Sequence, residues 1–134
     1  MKETLDEQSR KDLIQYRLAR AHETLQEATL MADNMHFNAA MNRLYYACYY
    51  AIVSLLLKSD IPANTHAGVK TMFSLHYISK GILPKELGKT FSRLFEIRHS
   101  GDYDDFVYCD REMFDEYMPK AQSFVNTIQQ LLQK

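Results

Sequence analysis

Arg98 is followed at once by His99, and Asp102 and Tyr103 lie one helical turn further on. An arginine and an imidazole at a helix end beside a loop can serve phosphoryl transfer. In metal-independent RNA cleavage a base takes the proton of the ribose 2′-hydroxyl, and a guanidinium stabilises the charge growing on the phosphorane. Adjacent helical residues point about 100° apart, so a helix that persisted here would direct His99 and Arg98 at different atoms. His99 then reads as an exposed histidine beside a structural arginine. Arg43 is the second cation of interest, because it precedes the most apolar run in the chain and shares a helical face with Tyr46, Ala47 and Tyr50. A guanidinium there needs an acid, a phosphate or carbonyls to meet it. A structural ion pair, to an aspartate of the 102–105 loop, and a role in a site both remain open.

Other chemistries fit less well. His22, His36, His66, His76 and His99 form no i, i+4 pair, which argues against a zinc site. Asp102, Asp104 and Asp105 lack the glycine and distal glutamate of a calcium loop, so no metal is expected. Four of the nine tyrosines fall between Leu44 and Tyr50; such rings can stack on bases, although at helical spacing they also serve as core or dimer-contact residues. There is no glycine-rich phosphate loop and no serine-centred elbow.

The elements that must position these residues read as helices. Apolar positions from Leu13 to Ala32 recur at intervals of three or four, with Ser9 as the cap and an end near Asn34. His36 to Lys58 forms a second helix, apolar around most of its circumference and therefore central. Pro62 breaks it, and Asn64 or Thr65 can cap a third helix over His66 to Ser79. Gly81 stops that helix, and Pro84 suits the first turn of a fourth, which carries Leu87, Phe91, Leu94 and Phe95 on one face. Lys85, Lys89 and Arg93 make a row on another face, read as solvated. HSGDYDDFVYCD reads as a loop, and Asp110 caps a last helix that Pro119 interrupts, with a kink expected near Glu116.

These elements define an all-α, up-and-down bundle of four to five helices forming a single domain over residues 1–134. The 46% hydrophobic content is enough for one core, and rare glycine and proline suit helices with short connections. Sixteen Lys and Arg stand against 17 Asp and Glu, so any nucleic-acid site must be a local patch. The start MKETLDEQSRKD is charged, with no apolar stretch behind it, and the nearly uncharged Leu44–Leu57 run is too short to span a bilayer. Cys48 sits in an apolar run as a small buried thiol would. The expected setting is a reducing cytoplasm, with no membrane association.

Taken in order, Asn42, Arg43, Tyr45, Tyr46, Ala47 and Leu56 or Leu57, then His66, Gly68 and Val69, then Gly81, Leu83 and Pro84, then Arg98, Asp102 and Tyr103 resemble the HEPN family. The likeness is to its small stand-alone branch, which reads approximately N-R-x-Y-Y-A, H-x-G-V, G-x-x-P and R-x-x-x-D-Y, and it spans about Asn38 to Tyr103. The resemblance implies a helical bundle, commonly a homodimer, with a cleft where the family's polar residues gather. Many members are RNases and toxins paired with a small nucleotidyltransferase antitoxin, and no cofactor is implied. Their catalytic signature places a histidine several residues after the arginine. Here Asp102 and Tyr103 stand near that place instead, and a carboxylate repels phosphate. The resemblance thus points to Arg98, Asp102 and Tyr103 for chemistry, with His99 secondary. Arg43, Tyr46, Tyr50 and His66 are the candidates for binding RNA or a nucleotide. Cleavage and a non-catalytic nucleotide-binding or protein-interaction module are the two functional readings.

Overall fold

The computed structural model describes residues 6–103 and 108–134, with side chains for all of these except 99–103. It is all-α: α1 (Glu7–Asp33), α2 (Phe37–Lys58), α3 (His66–Phe73), which runs into a π-helical turn (Ser74–Ile78), α4 (Lys85–Tyr103) and α5 (Arg111–Leu132). No strand occurs among the described residues.

Helix α1 begins earlier than its apolar stripe suggests. Asp6, not Ser9, is the cap, and its carboxylate accepts the Ser9 amide at 2.7 Å. That hydrogen bond holds the Asp6 carboxyl below its ordinary range. A three-residue turn, with Met35 left-handed at φ 68°, folds α1 back onto α2. Ala21, Ala28 and Ala32 on α1 and Ala40, Ala47 and Ala51 on α2 are all buried, and such small side chains let two helices approach closely.

Helix α2 is the central element, packing against α1, α3, α4 and α5. Its buried Leu44, Tyr45, Cys48, Ile52 and Leu55 lie in one core with Phe73, Phe91, Phe124 and Ile128. The three phenylalanines join α3, α4 and α5, with ring centroids 5.6 Å apart for Phe73 and Phe124 and 6.2 Å for both other pairs.

Helix ends account for most departures from the sequence reading. The third helix is α-helical only to Phe73, after which Ser74–Ile78 widens to π geometry before Gly81, at φ 73°, turns the chain. Helix α4 continues through Tyr103, where a loop from His99 was expected. Helix α5, capped by Asp110 on the Met113 amide at 2.9 Å, runs through Pro119 without the expected interruption. Pro119 and Asp115 are exposed, so the carbonyl that loses its amide partner faces water. No helix among the described residues is long and apolar enough to cross a membrane.

Candidate functional site

Two successive turns of α2 place Tyr45, Tyr46, Tyr49 and Tyr50 on the edge that meets the start of α3 and the far end of α4. Arg98 reaches this edge because the apolar seam Phe91, Leu94 and Ile97 anchors α4 in the core. Its Nη2 donates to the Tyr46 hydroxyl at 2.9 Å, and its Cζ lies 5.3 Å from the Tyr46 ring centroid and 5.5 Å from that of Tyr45. Two aromatic faces and a hydroxyl thus hold one guanidinium, which limits the rotamer freedom that a long side chain otherwise keeps.

His66 enters the same cluster from α3. Thr65 caps that helix by accepting the Gly68 amide at 2.9 Å, which fixes the chain direction at His66. His66 Nδ1 and the Tyr45 hydroxyl are 2.8 Å apart, and the imidazole stacks on Tyr49 with centroids 4.5 Å apart and planes 23° from parallel. The His66 ring is also 5.8 Å from both Tyr45 and Tyr46. Arg98 and His66 therefore bear on the same two tyrosines. Burial pushes the Tyr45 phenol upward despite the opposing pull of Arg98, so it stays protonated near neutral pH. Burial likewise raises the Tyr49 phenol.

The sequence candidates separate into three groups. Arg98, Tyr46 and His66 come together, with Tyr50 adjoining at 5.9 Å from Tyr46. Arg43 is turned to α1, where its Nη1 is 3.5 Å from Glu27 Oε1; the structural ion pair is made with that acid. Glu27 also stands 3.6 Å from Arg20, which donates to Glu23 at 2.9 Å and lies over the Tyr50 ring at 5.6 Å. His99, Asp102 and Tyr103 fall in the last turn of α4, and their side chains lie outside the described residues. Asp104 and Asp105 also lie outside them.

Sequence reasoning passed over Tyr49 as a site residue and the α1 cations. Arg17 occupies a position in the apolar stripe of α1, and a charge in such a stripe is a signal. Its charge acts on the Tyr49 phenol, and its Nε is buried with no hydrogen-bond partner among the described residues. No three His, Cys, Asp or Glu side chains among the described residues are grouped as a metal centre requires.

A helical bundle with an arginine held at the end of its fourth helix agrees with a family match: the model of the HEPN domain covers residues 14–131, and the chain belongs to the HEPN family. It is 36% identical over 121 residues to a UPF0332 protein of Thermotoga maritima, covering 90% of this chain and 92% of that one. It is also 28% identical over 134 residues to a Methanocaldococcus jannaschii protein named "Putative toxin MJ0605", covering 100% of this chain and 98% of the relative. A Gloeobacter violaceus UPF0332 protein is 32% identical over 84 residues, 63% of this chain and 67% of its own.

Proposed function

We propose that this protein is a HEPN-type toxin that cleaves RNA without a metal ion, with Arg98 holding the phosphate. The observation that carries this reading is the guanidinium of Arg98 held by Tyr46 at 2.9 Å beside an imidazole that shares its tyrosine neighbours. A phosphodiester placed on Arg98 would have its developing negative charge met by a cation already oriented, which is where electrostatic catalysis gains most. The ribose 2′-hydroxyl loses its proton to a base, its oxygen bonds to phosphorus, and the 5′-oxygen leaves with a proton from an acid, giving a 2′,3′-cyclic phosphate. His66 is suited to the proton transfers, and Asp102 and Tyr103 are the further candidates from the sequence. Relatives that bear toxin names support the biological role. A homodimer, a nucleotidyltransferase antitoxin as partner and action in the cytoplasm belong to the same proposal.

Purified protein incubated in EDTA with labelled total RNA and a tRNA pool tests it. Fragments ending in 2′,3′-cyclic phosphate, lost in Arg98→Ala and strongly reduced in His66→Ala, are the expected result. Binding of RNA with no cleavage by the wild type would transfer the cluster to a non-catalytic binding role. Cleavage that survives in folded Arg98→Ala would remove Arg98 from the centre.

A further inference from the structure

Between α4 and α3 with its π-helical turn lies an open groove of about 730 Å³, lined by residues other than those of the Arg98 cluster. Four cations line it, Lys70, Lys85, Lys89 and Arg93, against the one carboxylate of Glu96. In a chain of net charge −1 this is a local concentration of positive charge. The row Lys85, Lys89 and Arg93 is exposed, as its spacing suggests, but it forms the wall of a concave surface rather than a convex solvated face.

The groove owes its shape to the two walls. Gly88 lets α4 approach the turn, since a Cβ there would meet Ile78 Cγ2 at 3.3 Å. Ser74 of the π turn and Ser92 of α4 also line the groove. Lysines and hydroxyls around a channel are phosphate ligands. The acids nearby leave the cations available. Lys89 pairs with Glu86 at 3.7 Å and Arg93 with Glu96 at 3.3 Å, both across exposed i, i+3 spacings of the kind that bind weakly. Lys85 makes no ion pair among the described residues.

Continuity with the Arg98 cluster decides between possible occupants. Lys70 lines the groove one turn of α3 beyond His66 and lies 5.3 Å over the half-buried Phe95 ring, one turn of α4 before Arg98, so the groove runs toward the end of the bundle where His66 and Arg98 meet. From Lys85 to Arg98 the helix rises about 20 Å, the reach of a few nucleotides. We infer that this groove binds the phosphate backbone of single-stranded RNA and leads the strand to Arg98. The inference rests on the proposed RNA-directed function and names the track that the substrate follows.

The test is fluorescence anisotropy with a labelled mixed-sequence RNA of about 16 nucleotides, a length that spans the usual single-strand site sizes, over a series of salt concentrations. Each phosphate contact removed should lower the slope of log affinity against log salt by about 0.7. Lys85→Gln with Lys89→Gln should therefore lower it by about 1.4 and weaken binding several-fold. Lys120→Gln, an exposed charge loss on α5, should leave slope and affinity unchanged. A wild-type slope in the double variant overturns the groove. So does polyglutamate binding that matches RNA binding and is lost in the same variant, since it marks an acidic-protein site. Cleavage with an unaltered KM in the double variant overturns the groove and leaves the RNase reading standing. Salt-sensitive binding through these lysines without cleavage upholds the groove and overturns the RNase reading. Absence of any RNA binding by the wild type overturns both.

Discussion

The hydroxyl of Tyr46 accepts a hydrogen bond from Arg98 Nη2 at 2.9 Å while the Tyr46 ring lies under the same guanidinium, so one side chain of α2 aims the terminal cation of α4 twice over. Tyr46→Phe separates the two contacts, because it keeps the ring and removes the acceptor. A hydrogen bond to a charged group contributes roughly 1.5–3 kcal/mol when well shielded and less at a half-buried site. We expect Tyr46→Phe to cost about 1 kcal/mol in urea unfolding and to lower kcat about ten-fold with KM little changed. A kcat equal to that of the wild type would show that the hydroxyl does not orient Arg98 for turnover.

Alkaline pH should reveal the buried phenols. Tyr45 is fully buried, and burial raises its phenol well above the ordinary value near 10, as it does to a lesser degree for Tyr49. A group raised in the folded state contributes its full stability below the unfolded pKa. That contribution falls as pH rises past about 10, because the unfolded chain ionises first, at up to about 1.4 kcal/mol per pH unit per group. Absorbance near 295 nm should therefore show phenols that ionise only with unfolding, and Tyr45→Phe should remove one of them. Complete titration of all tyrosines in the folded protein near pH 10 would contradict the buried placement.

How far this arrangement was legible in the sequence depends on the range of the interaction. Apolar periodicity along Leu13–Ala32 and His36–Lys58 is a local signal repeated many times, and it located the helices and the centrality of α2. Helix ends depend on a few competing groups. Asp6 and Ser9 are both good caps, and only the backbone geometry decides for Asp6. The π turn after Phe73 and the continuation of α4 to Tyr103 left no periodic trace. The site was half legible: Tyr46 and Tyr50 share a face with Arg43 by spacing alone. Yet Arg43 finds its acid on α1, 16 residues away at Glu27, and the contacts of Arg98 and His66 with Tyr45 depend on how helices cross.

The cysteines should be inert until the protein unfolds. Cys48 is fully buried and burial raises its thiol pKa, and Cys109, 4% exposed, is raised by burial and by Asp110. Attack on a disulfide reagent needs the thiolate, which both effects suppress. Neither thiol should react with Ellman's reagent at neutral pH within minutes, and both should react in denaturant. Fast reaction of one thiol in the native protein would place Cys109 outside the core.

Removing the Phe124 ring should test whether α3, α4 and α5 are stabilised by a common aromatic contact. The ring is 1% exposed and lies 5.6 Å from Phe73 and 6.2 Å from Phe91. Phe124→Ala should cost about 3–5 kcal/mol through lost burial and the cavity left behind, and Phe124→Leu appreciably less. A loss below about 1 kcal/mol for the alanine variant in urea unfolding, small against the 2–5 kcal/mol of ordinary core truncations, would mean that the three helices do not depend on this contact.

Thr65 links local helix stability to the position of His66. Its hydroxyl accepts the Gly68 amide at 2.9 Å and so sets the first turn of α3, from which the imidazole meets Tyr45 at 2.8 Å and stacks on Tyr49. Thr65→Ala removes the cap and should cost about 1 kcal/mol, while Thr65→Ser keeps the oxygen and most of the stability. If His66 transfers a proton in RNA cleavage, the alanine variant should also lose several-fold in kcat at a temperature where it remains fully folded, and the serine variant should not. Stability and rate measured side by side separate the two roles. A stability loss with unchanged kcat would leave Thr65 as a helix cap alone and would count against placing His66 at the reacting atoms.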